Sequence, residues 1–186
     1  MHGHIVLVGT GLIGGSFILA LRNTCASLRI VGYDRDPAAL ARATELGIVD
    51  QPVKNWADAM NGASLVVLAV PVAQTGAVLR ELAPHLQPQT YIMDMGSTKA
   101  DVVAAARAEL GTRIGQFVPA HPIAGSERHG PEAAHAGLFV GKKVVVTPLP
   151  ENPQTAIDLA LITWRGCGAI VHQLTPEQHD RTFAAV

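Results

Sequence analysis

Six residues near the start of the chain have the spacing of a loop that binds a dinucleotide. The pattern GxGxxG follows a short apolar run and opens a helical pattern. The first glycine permits a tight turn, the second lets a pyrophosphate approach the backbone, and the third allows close helix packing. The alternative is an ordinary strand-to-helix turn. The predicted cofactor contacts of this turn are Gly9, Thr10, Gly11, Leu12, Ile13 and Gly14.

An acidic residue stands where a dinucleotide-binding fold needs one. Asp34 ends the second apolar run, and a carboxylate there bonds the ribose hydroxyls of NAD. Its alternative role as a helix cap suits Asp36 better, because Asp36 directly precedes Pro37. Arg35 is placed to receive the 2′-phosphate of NADP, but the neighbouring carboxylate would repel that phosphate. The predicted cofactor is therefore NAD, with NADP as the less favoured alternative.

A histidine lies in a stiff corner between two prolines, in the stretch PAHPIAGSE. Pro122 pushes His121 into an extended backbone at the end of an apolar run. A neutral imidazole there can take a hydroxyl proton while a hydride leaves the same carbon. The alternative is a hydrogen-bonded core histidine. We predict that His121 faces the cofactor across one parallel sheet.

Two more turns should face the nicotinamide half of the cofactor, because ligands of open α/β sheets bind at the carboxyl ends of the strands. Val70 and Pro71 end one apolar run, and Ser97 follows another. Pro71 also serves simply as a strand terminator. Ser97 has two readings, as the N-cap of the next helix or as a residue facing the substrate.

Apolar runs alternate with helical patterns along the chain. This alternation predicts an α/β fold: a Rossmann-like, doubly wound, mostly parallel sheet with helices on both faces, over residues 1–174. The predicted strands lie in 4–9, 28–34, 64–71, 90–96, 115–121, 142–148 and 169–174, and the predicted helices in 12–23, 37–46, 72–86, 98–110 and 153–164.

Residues 175–186 predict the start of a further helix, opened by Thr175 and Pro176. This helix has an apolar face without a partner and no closing cap. We therefore expect a truncated helix that leads to an absent helical domain. The alternative is that these residues are a frayed natural terminus. His179 is predicted to lie on the helix surface or at a domain contact.

Composition excludes several classes of partner. The 14 basic and 15 acidic residues give a net charge of −1 without a basic stripe, so nucleic acid is not a predicted partner. The longest apolar run, 65–73, is far shorter than the about 20 residues that cross a membrane. The two cysteines and the other histidines have no metal-binding spacing, so no metal is predicted. A cytoplasmic location is expected.

Beyond the glycine loop, several motifs carry a family resemblance across nearly the whole chain. GTGLIGGS, GYDRDP, AVPV, MDMGSTK, AHPIAGSE, LFVGKKVVVTP and LTPEQHD together resemble the prephenate and arogenate dehydrogenases of tyrosine biosynthesis. The resemblance implies oxidative decarboxylation of prephenate to 4-hydroxyphenylpyruvate, or of arogenate to tyrosine. It implies that His121 is the base and that Ser97 orients base and substrate. Glu127 is either an acidic residue at the mouth of the substrate site or a plain surface carboxylate.

Such enzymes continue into a helical domain that forms a homodimer and supplies basic residues for the substrate. This chain is therefore expected to bind the cofactor with little activity of its own. Two alternatives remain open from the residues. One is an oxidoreductase of the β-hydroxyacid dehydrogenase type, whose base is a lysine on a later helix. The other is a non-catalytic module that senses NAD.

Overall fold

The computed structural model describes residues 3–25 and 27–184. The strands are His4–Val8 (β1), Ile30–Tyr33 (β2), Gln51–Pro52 (β3), Ala63–Leu68 (β4), Tyr91–Asp94 (β5), Phe117–Val118 (β6), Ala120–Pro122 (β7), Lys143–Val146 (β8) and Ile170–Gln173 (β9). The helices are Leu12–Thr24 (α1), Pro37–Glu45 (α2), Trp56–Met60 (α3), Val72–Leu82 (α4), Ala100–Leu110 (α5), Gln154–Gly166 (α6) and Pro176–Phe183 (α7). No helix in the described ranges is long and apolar enough to cross a membrane.

Six parallel strands form the main sheet in the order β3-β2-β1-β4-β5-β6. This is the strand order of the Rossmann fold, and it confirms the predicted doubly wound α/β class. The order reverses between β1 and β4, so a crevice opens at the carboxyl ends of these two strands. Two of the turns that the sequence predicted as cofactor contacts, the glycine turn and the turn with Val70 and Pro71, follow these two strands.

The main sheet is covered on both faces, which explains why its strands are continuous apolar runs. Ile5 and Leu7 of β1 pack into a cluster with α1, α2 and α6. Val6 and Val8 point the other way, into a cluster with α3, α4 and α5. Because side chains alternate along a strand, one short run supplies both clusters. The two clusters hold the sheet and the turns at its edge in place.

The last part of the chain forms a second sheet that the sequence analysis did not separate from the first. Strand β7 pairs with β8 in antiparallel fashion, and β8 pairs with β9 in parallel, giving a three-stranded sheet. The predicted run 115–121 therefore splits into β6 and β7 at Pro119. Proline has no N–H to continue a ladder, and its carbonyl accepts the N–H of Thr147 beyond β8. The expectation of one sheet that carries His121 was wrong.

Several predicted helix ends are confirmed, because local cap chemistry decides them. The carboxylate of Asp36 accepts the N–H of Ala38 at 2.9 Å and caps α2. Thr175 forms a capping box with Gln178 at the start of α7. Helix α7 ends at Phe183, and residues 185–186 of the predicted helix lie outside the described residues.

Of the two readings of Ser97, the helix cap was wrong. Helix α5 begins at Ala100, and Lys99 occupies its N-cap position without a capping bond from its own side chain. The carboxylate of Asp180 instead accepts the N–H groups of Lys99 and Ala100, at 2.9 and 2.7 Å. A residue from α7, some 80 positions away, therefore caps α5.

Candidate active site

The glycine turn has the geometry of an anion cradle. Gly9 has a positive φ of 89°, and a Cβ on it would lie 2.4 Å from the carbonyl oxygen of Ala69. A Cβ on Gly14 would lie 2.4 Å from the carbonyl oxygen of Gly9. Gly11, the N-cap of α1, would meet nothing within 4 Å, and no side chain caps this helix. Two glycines thus serve the fold, and the third leaves open space beside N–H groups that attract an anion.

A cavity of about 350 Å³ opens between the ends of β1, β2 and β4. Six predicted cofactor contacts line it: Gly9, Gly11, Asp34, Arg35, Val70 and Pro71. Sequence reasoning missed Tyr33, Gln74 and Val78, which line the cavity together with Val8, Asp36 and Ala69. The signal for the missed residues was present, because Tyr33 ends a strand and Gln74 and Val78 lie one helical turn apart on α4. An acid on one side and an uncapped helix start on the other suit the ribose and pyrophosphate of a dinucleotide.

Asp34 is held in place by Thr10. The backbone N–H and the hydroxyl of Thr10 both donate to Oδ2 of Asp34, at 2.7 and 2.8 Å. The N–H of Asp36 donates to Oδ1 at 2.9 Å. Because a carboxylate accepts about four hydrogen bonds and three are formed here, capacity remains at Oδ1 for one ribose hydroxyl. The side chain of Thr10 is buried against Asp34, so it positions the acid rather than facing the cavity.

A second cavity of about 460 Å³ continues from the first along the glycine turn. It joins the ends of β4 and β5 to the loop after β7, and its lining includes Leu12, Ile13, Pro71, Met95, Ala124, Gly125, Ser126 and His129. The contributions of Ser126 and His129 were not predicted, because a loop beyond a second sheet has no periodic signal. Ser97 and Glu127 are exposed.

The imidazole of His121 is half-buried and paired with a second imidazole. Its Nδ1 lies 2.8 Å from Nε2 of His179, and the ring of Phe183 packs against it with centroids 5.3 Å apart. Burial, the neighbouring His179 and the ammonium of Lys99 lower the pKa of His121 to about 4, against an opposing effect of Asp180. His121 is therefore neutral at pH 7, as a general base must be.

His179 occupies a different place from the predicted one. Its side chain is 0% exposed, and its Nδ1 lies 2.7 Å from Oδ1 of Asp180. Of the two predicted places, the helix surface was wrong, because the ring turns inward onto β7, and the domain contact stays a prediction. The local pattern of an amphipathic helix does not show which strand a buried polar side chain meets.

A buried ion pair fixes the strand that carries His121 to the edge of the main sheet. The Nζ of Lys99 donates to Oδ2 of Asp94 and to the carbonyl of Ala120, at 2.7 Å each. The N–H of Ala120 donates to Oδ1 of Asp94 at 2.9 Å. Asp94 ends β5, and Met95, the next residue, lines the second cavity. The strand of His121 thus lies beside the edge where the second cavity opens, although His121 itself lines neither cavity and belongs to a different sheet.

The described residues hold no group of three or more histidine, cysteine or acidic side chains placed to bind a metal ion. The groups at this edge are an uncapped helix start, an acid and a neutral imidazole. These suit a cofactor that carries an anion and a ribose.

The family model for the nucleotide-binding domain of prephenate dehydrogenase matches residues 17–173. The chain belongs to the prephenate dehydrogenase family. The matched region begins inside α1, after β1 and the glycine turn, and includes strands β2 to β9 and His121. This match supports the resemblance to prephenate and arogenate dehydrogenases over the alternative of the β-hydroxyacid dehydrogenase type.

Relatives in the prephenate dehydrogenase family align with nearly the whole chain. Cyclohexadienyl dehydrogenase of Zymomonas mobilis is 35% identical over 97% of this chain and 61% of that relative. Prephenate dehydrogenase of Bacillus subtilis is 35% identical over 100% of this chain and 50% of that relative. The crystal structure of Aquifex aeolicus prephenate dehydrogenase with hydroxyphenyl propionate and NAD⁺ superposes with a TM-score of 0.90. The superposed region has 33% sequence identity and covers 98% of this chain and 63% of the Aquifex aeolicus chain. The chain thus spans between half and two thirds of these relatives.

Proposed function

We propose that this chain is the cofactor-binding part of an NAD-dependent dehydrogenase that oxidatively decarboxylates prephenate or arogenate. The observation that carries the proposal is a neutral imidazole, His121, tied through Ala120 and Asp94 to the edge where the two cavities open. An acid–base dehydrogenation needs such a base beside the nicotinamide. Membership of the prephenate dehydrogenase family supports the choice of substrate class.

The chemistry assigned to His121 is transfer of a single proton. NAD⁺, when bound, supplies the hydride acceptor for the carbon that carries the ring hydroxyl. The imidazole takes the hydroxyl proton as this carbon becomes a carbonyl carbon. The bond to the ring carboxylate then breaks, CO₂ leaves, and the bonding electrons make the ring an aromatic phenolate. His121 returns its proton to the phenolate oxygen, so the base is regenerated without net proton consumption.

Two exposed residues complete the proposed site. Ser97, in the turn after β5, orients the base and the substrate hydroxyl. Glu127 follows Ser126 of the second cavity and is assigned to the mouth of the substrate site. Gly11 and Asp34 hold the pyrophosphate and the ribose.

A product assay tests this function. The full-length protein is incubated with NAD⁺ and either prephenate or arogenate, and the products are separated by chromatography. We expect 4-hydroxyphenylpyruvate from the first substrate or tyrosine from the second. The 186-residue chain is expected to bind NAD with little turnover. Oxidation of a β-hydroxy acid instead would support the second reading, and NAD binding without any turnover by the full-length protein would support the sensing module.

Gly11→Ala is expected to weaken NAD binding while leaving the fold intact. The added methyl enters the open space assigned to the pyrophosphate, and it meets no protein atom within 4 Å. We expect the dissociation constant for NAD to rise about tenfold or more, equivalent to about 1.4 kcal/mol. Loss of the N-cap glycine should cost no more than about 1 kcal/mol of stability. Isothermal titration calorimetry and thermal unfolding measure the two effects.

The matched control is Gly76→Ala, in the middle of α4 and outside the cavity lining. Its Cβ would make only an ordinary contact, 3.6 Å from the Cβ of Ala105. This variant should bind NAD as the parent chain does. Equal affinity of the Gly11→Ala variant and the parent would contradict the assignment of the turn to the pyrophosphate.

Asp34→Asn is expected to narrow the preference for NAD over NADP. The parent chain should bind NAD more tightly, because the carboxylate accepts from a ribose hydroxyl and repels a 2′-phosphate beside Arg35. Hydrogen bonds to a charged group contribute about 1.5–3 kcal/mol, so NAD affinity should fall about 10- to 100-fold. Titration of both cofactors into both proteins measures the ratio. A parent chain that prefers NADP would overturn the cofactor assignment.

Two further predictions concern the whole protein. We expect it to form a homodimer through a further helical segment and to be located in the cytoplasm. Light scattering of the full-length protein and of the 186-residue chain tests the first, and a monomeric full-length protein would contradict it.

A further inference from the structure

We propose that His179 and Asp180 are positioning residues that hold His121 in the tautomer protonated at Nδ1, with the Nε2 lone pair free. The inference deepens the proposed function, since it rests on His121 being the base. It assigns a role to two neighbouring residues of α7 that the motifs alone did not explain.

Three side chains form a continuous line of hydrogen bonds. Oδ1 of Asp180 lies 2.7 Å from Nδ1 of His179. Nε2 of His179 lies 2.8 Å from Nδ1 of His121. The middle ring is 0% exposed, and the ring of Phe183 packs on both imidazoles with centroids 4.7 and 5.3 Å away. Bulk water therefore has little access to the middle ring of this line.

The direction of each bond follows from the acid at its end. An ionised carboxylate only accepts, so Nδ1 of His179 must donate to it. Nε2 of a neutral His179 then has only a lone pair, and Nδ1 of His121 must donate to that lone pair. The remaining nitrogen of a neutral His121, Nε2, is left unprotonated and available to a substrate hydroxyl.

Asp180 is well suited to stay ionised at the end of this line. Burial raises its pKa, but hydrogen bonds from the N–H of Ala100, from His179 and from the N–H of Lys99 outweigh this effect and leave the pKa below its usual value. The two N–H groups also anchor the carboxylate at the start of α5, which fixes its position relative to His179.

The opposite tautomer of His121, protonated at Nε2, is disfavoured by repulsion between His179 and Asp180. It requires Nε2 of His179 to donate, so a neutral His179 would turn a lone pair toward the carboxylate 2.7 Å away. Only a doubly protonated His179 would avoid this repulsion, and it would reverse the bond between the rings. That state protonates Nε2 of His121 and removes the base, so a tautomer measurement separates the two arrangements.

The experiment reads the tautomers directly on the 186-residue chain. Long-range ¹H–¹⁵N correlation spectra at pH 7 distinguish protonated from unprotonated ring nitrogens, and His121→Asn and His179→Gln assign the signals. We expect both histidines to be protonated at Nδ1 and unprotonated at Nε2. Protonation of His121 at Nε2 in the parent chain would overturn the proposal.

Two variants separate positioning from packing. In His179→Leu the Nδ1–H of His121 loses its acceptor, so we expect its tautomer signal to move toward Nε2–H. In His179→Gln the amide oxygen stands near the former Nε2 and accepts again, so the Nδ1–H signal should return. His172→Leu, at an exposed position of β9, is the matched control. An unchanged His121 signal in a folded His179→Leu variant would contradict the assigned role.

Turnover of the full-length protein gives an independent readout. His179→Leu should lower kcat about tenfold or more with unchanged NAD affinity, and His179→Gln should recover part of the loss. The expected tautomers without turnover of either substrate would remove the proposed function and leave the positioning role. If turnover requires His121 but His121 is protonated at Nε2 in the parent chain, the proposed function would stand and the positioning role would be overturned.

Discussion

Replacing Lys99 by methionine is expected to lower the free energy of unfolding by about 3–5 kcal/mol. The side chains of Lys99 and Asp94 are 0% and 2% exposed. Methionine keeps most of the volume but leaves the carboxylate buried without its cation. It also leaves the carbonyl of Ala120 without the ammonium donor. The main cost is therefore an uncompensated buried charge.

Urea unfolding followed by circular dichroism measures this loss through linear extrapolation. Arg80→Met is the matched control, because it removes the cation from the pair with Glu109, where the arginine is 70% exposed. An exposed pair contributes about 0–1 kcal/mol, so this variant should unfold almost as the parent does. Equal losses in the two variants would show that the buried pair does not hold β7 to β5.

His121→Asn in the full-length protein is expected to lower kcat by about 10²- to 10⁴-fold, the usual contribution of a general base. The affinity for NAD should remain that of the parent, because the ring does not line the cavity beside Asp34. Steady-state kinetics and cofactor titration measure both quantities. His172→Asn, on the exposed side of β9, is the control. An unchanged kcat would support the sensing module over the enzyme.

The pH profile of kcat/KM should show the protonation of His121. A general base works unprotonated, so activity is lost as the pH falls through its pKa. Because burial, His179 and Lys99 lower the pKa of His121 to about 4, the acid limb assigned to this base should lie near pH 4 rather than near 6.5. Circular dichroism at each pH shows whether the protein stays folded. Because protonation of His179 also removes the base, the same profile is measured for His179→Gln. An acid limb near pH 6.5 in that variant would contradict the described environment.

Features that depend on a few neighbouring residues could be predicted from the sequence. The glycine turn follows β1 and precedes α1 as expected, because Gly9 has the positive φ that a tight turn needs and Gly14 leaves room for the carbonyl of Gly9. Asp36 caps α2 through a bond that spans two residues. The alternation of buried runs and helices predicted the parallel sheet for the same reason, since each element shows its own periodicity.

Features that depend on contacts between distant residues could not be predicted in this way. Pro119 marked a break in a strand, but only pairing with β8 shows that a new sheet begins there. Ser97 satisfied the local rule for a helix cap, but the carboxylate of Asp180 on α7 caps α5 instead. A local rule gives the donors and acceptors that are available, and the fold decides which ones meet.

The amino-acid sequence by itself determined the α/β architecture and the glycine turn with its acid, because these depend on short-range sterics and periodicity, and it indicated the family through the resemblance of several motifs. Only the tertiary structure decided that His121 lies on a separate sheet and contacts His179, a residue 58 positions away. It also decided that Thr10 holds Asp34 across 24 positions. Hydrogen bonds between distant residues have no sequence period, since they form only after packing has brought the elements together.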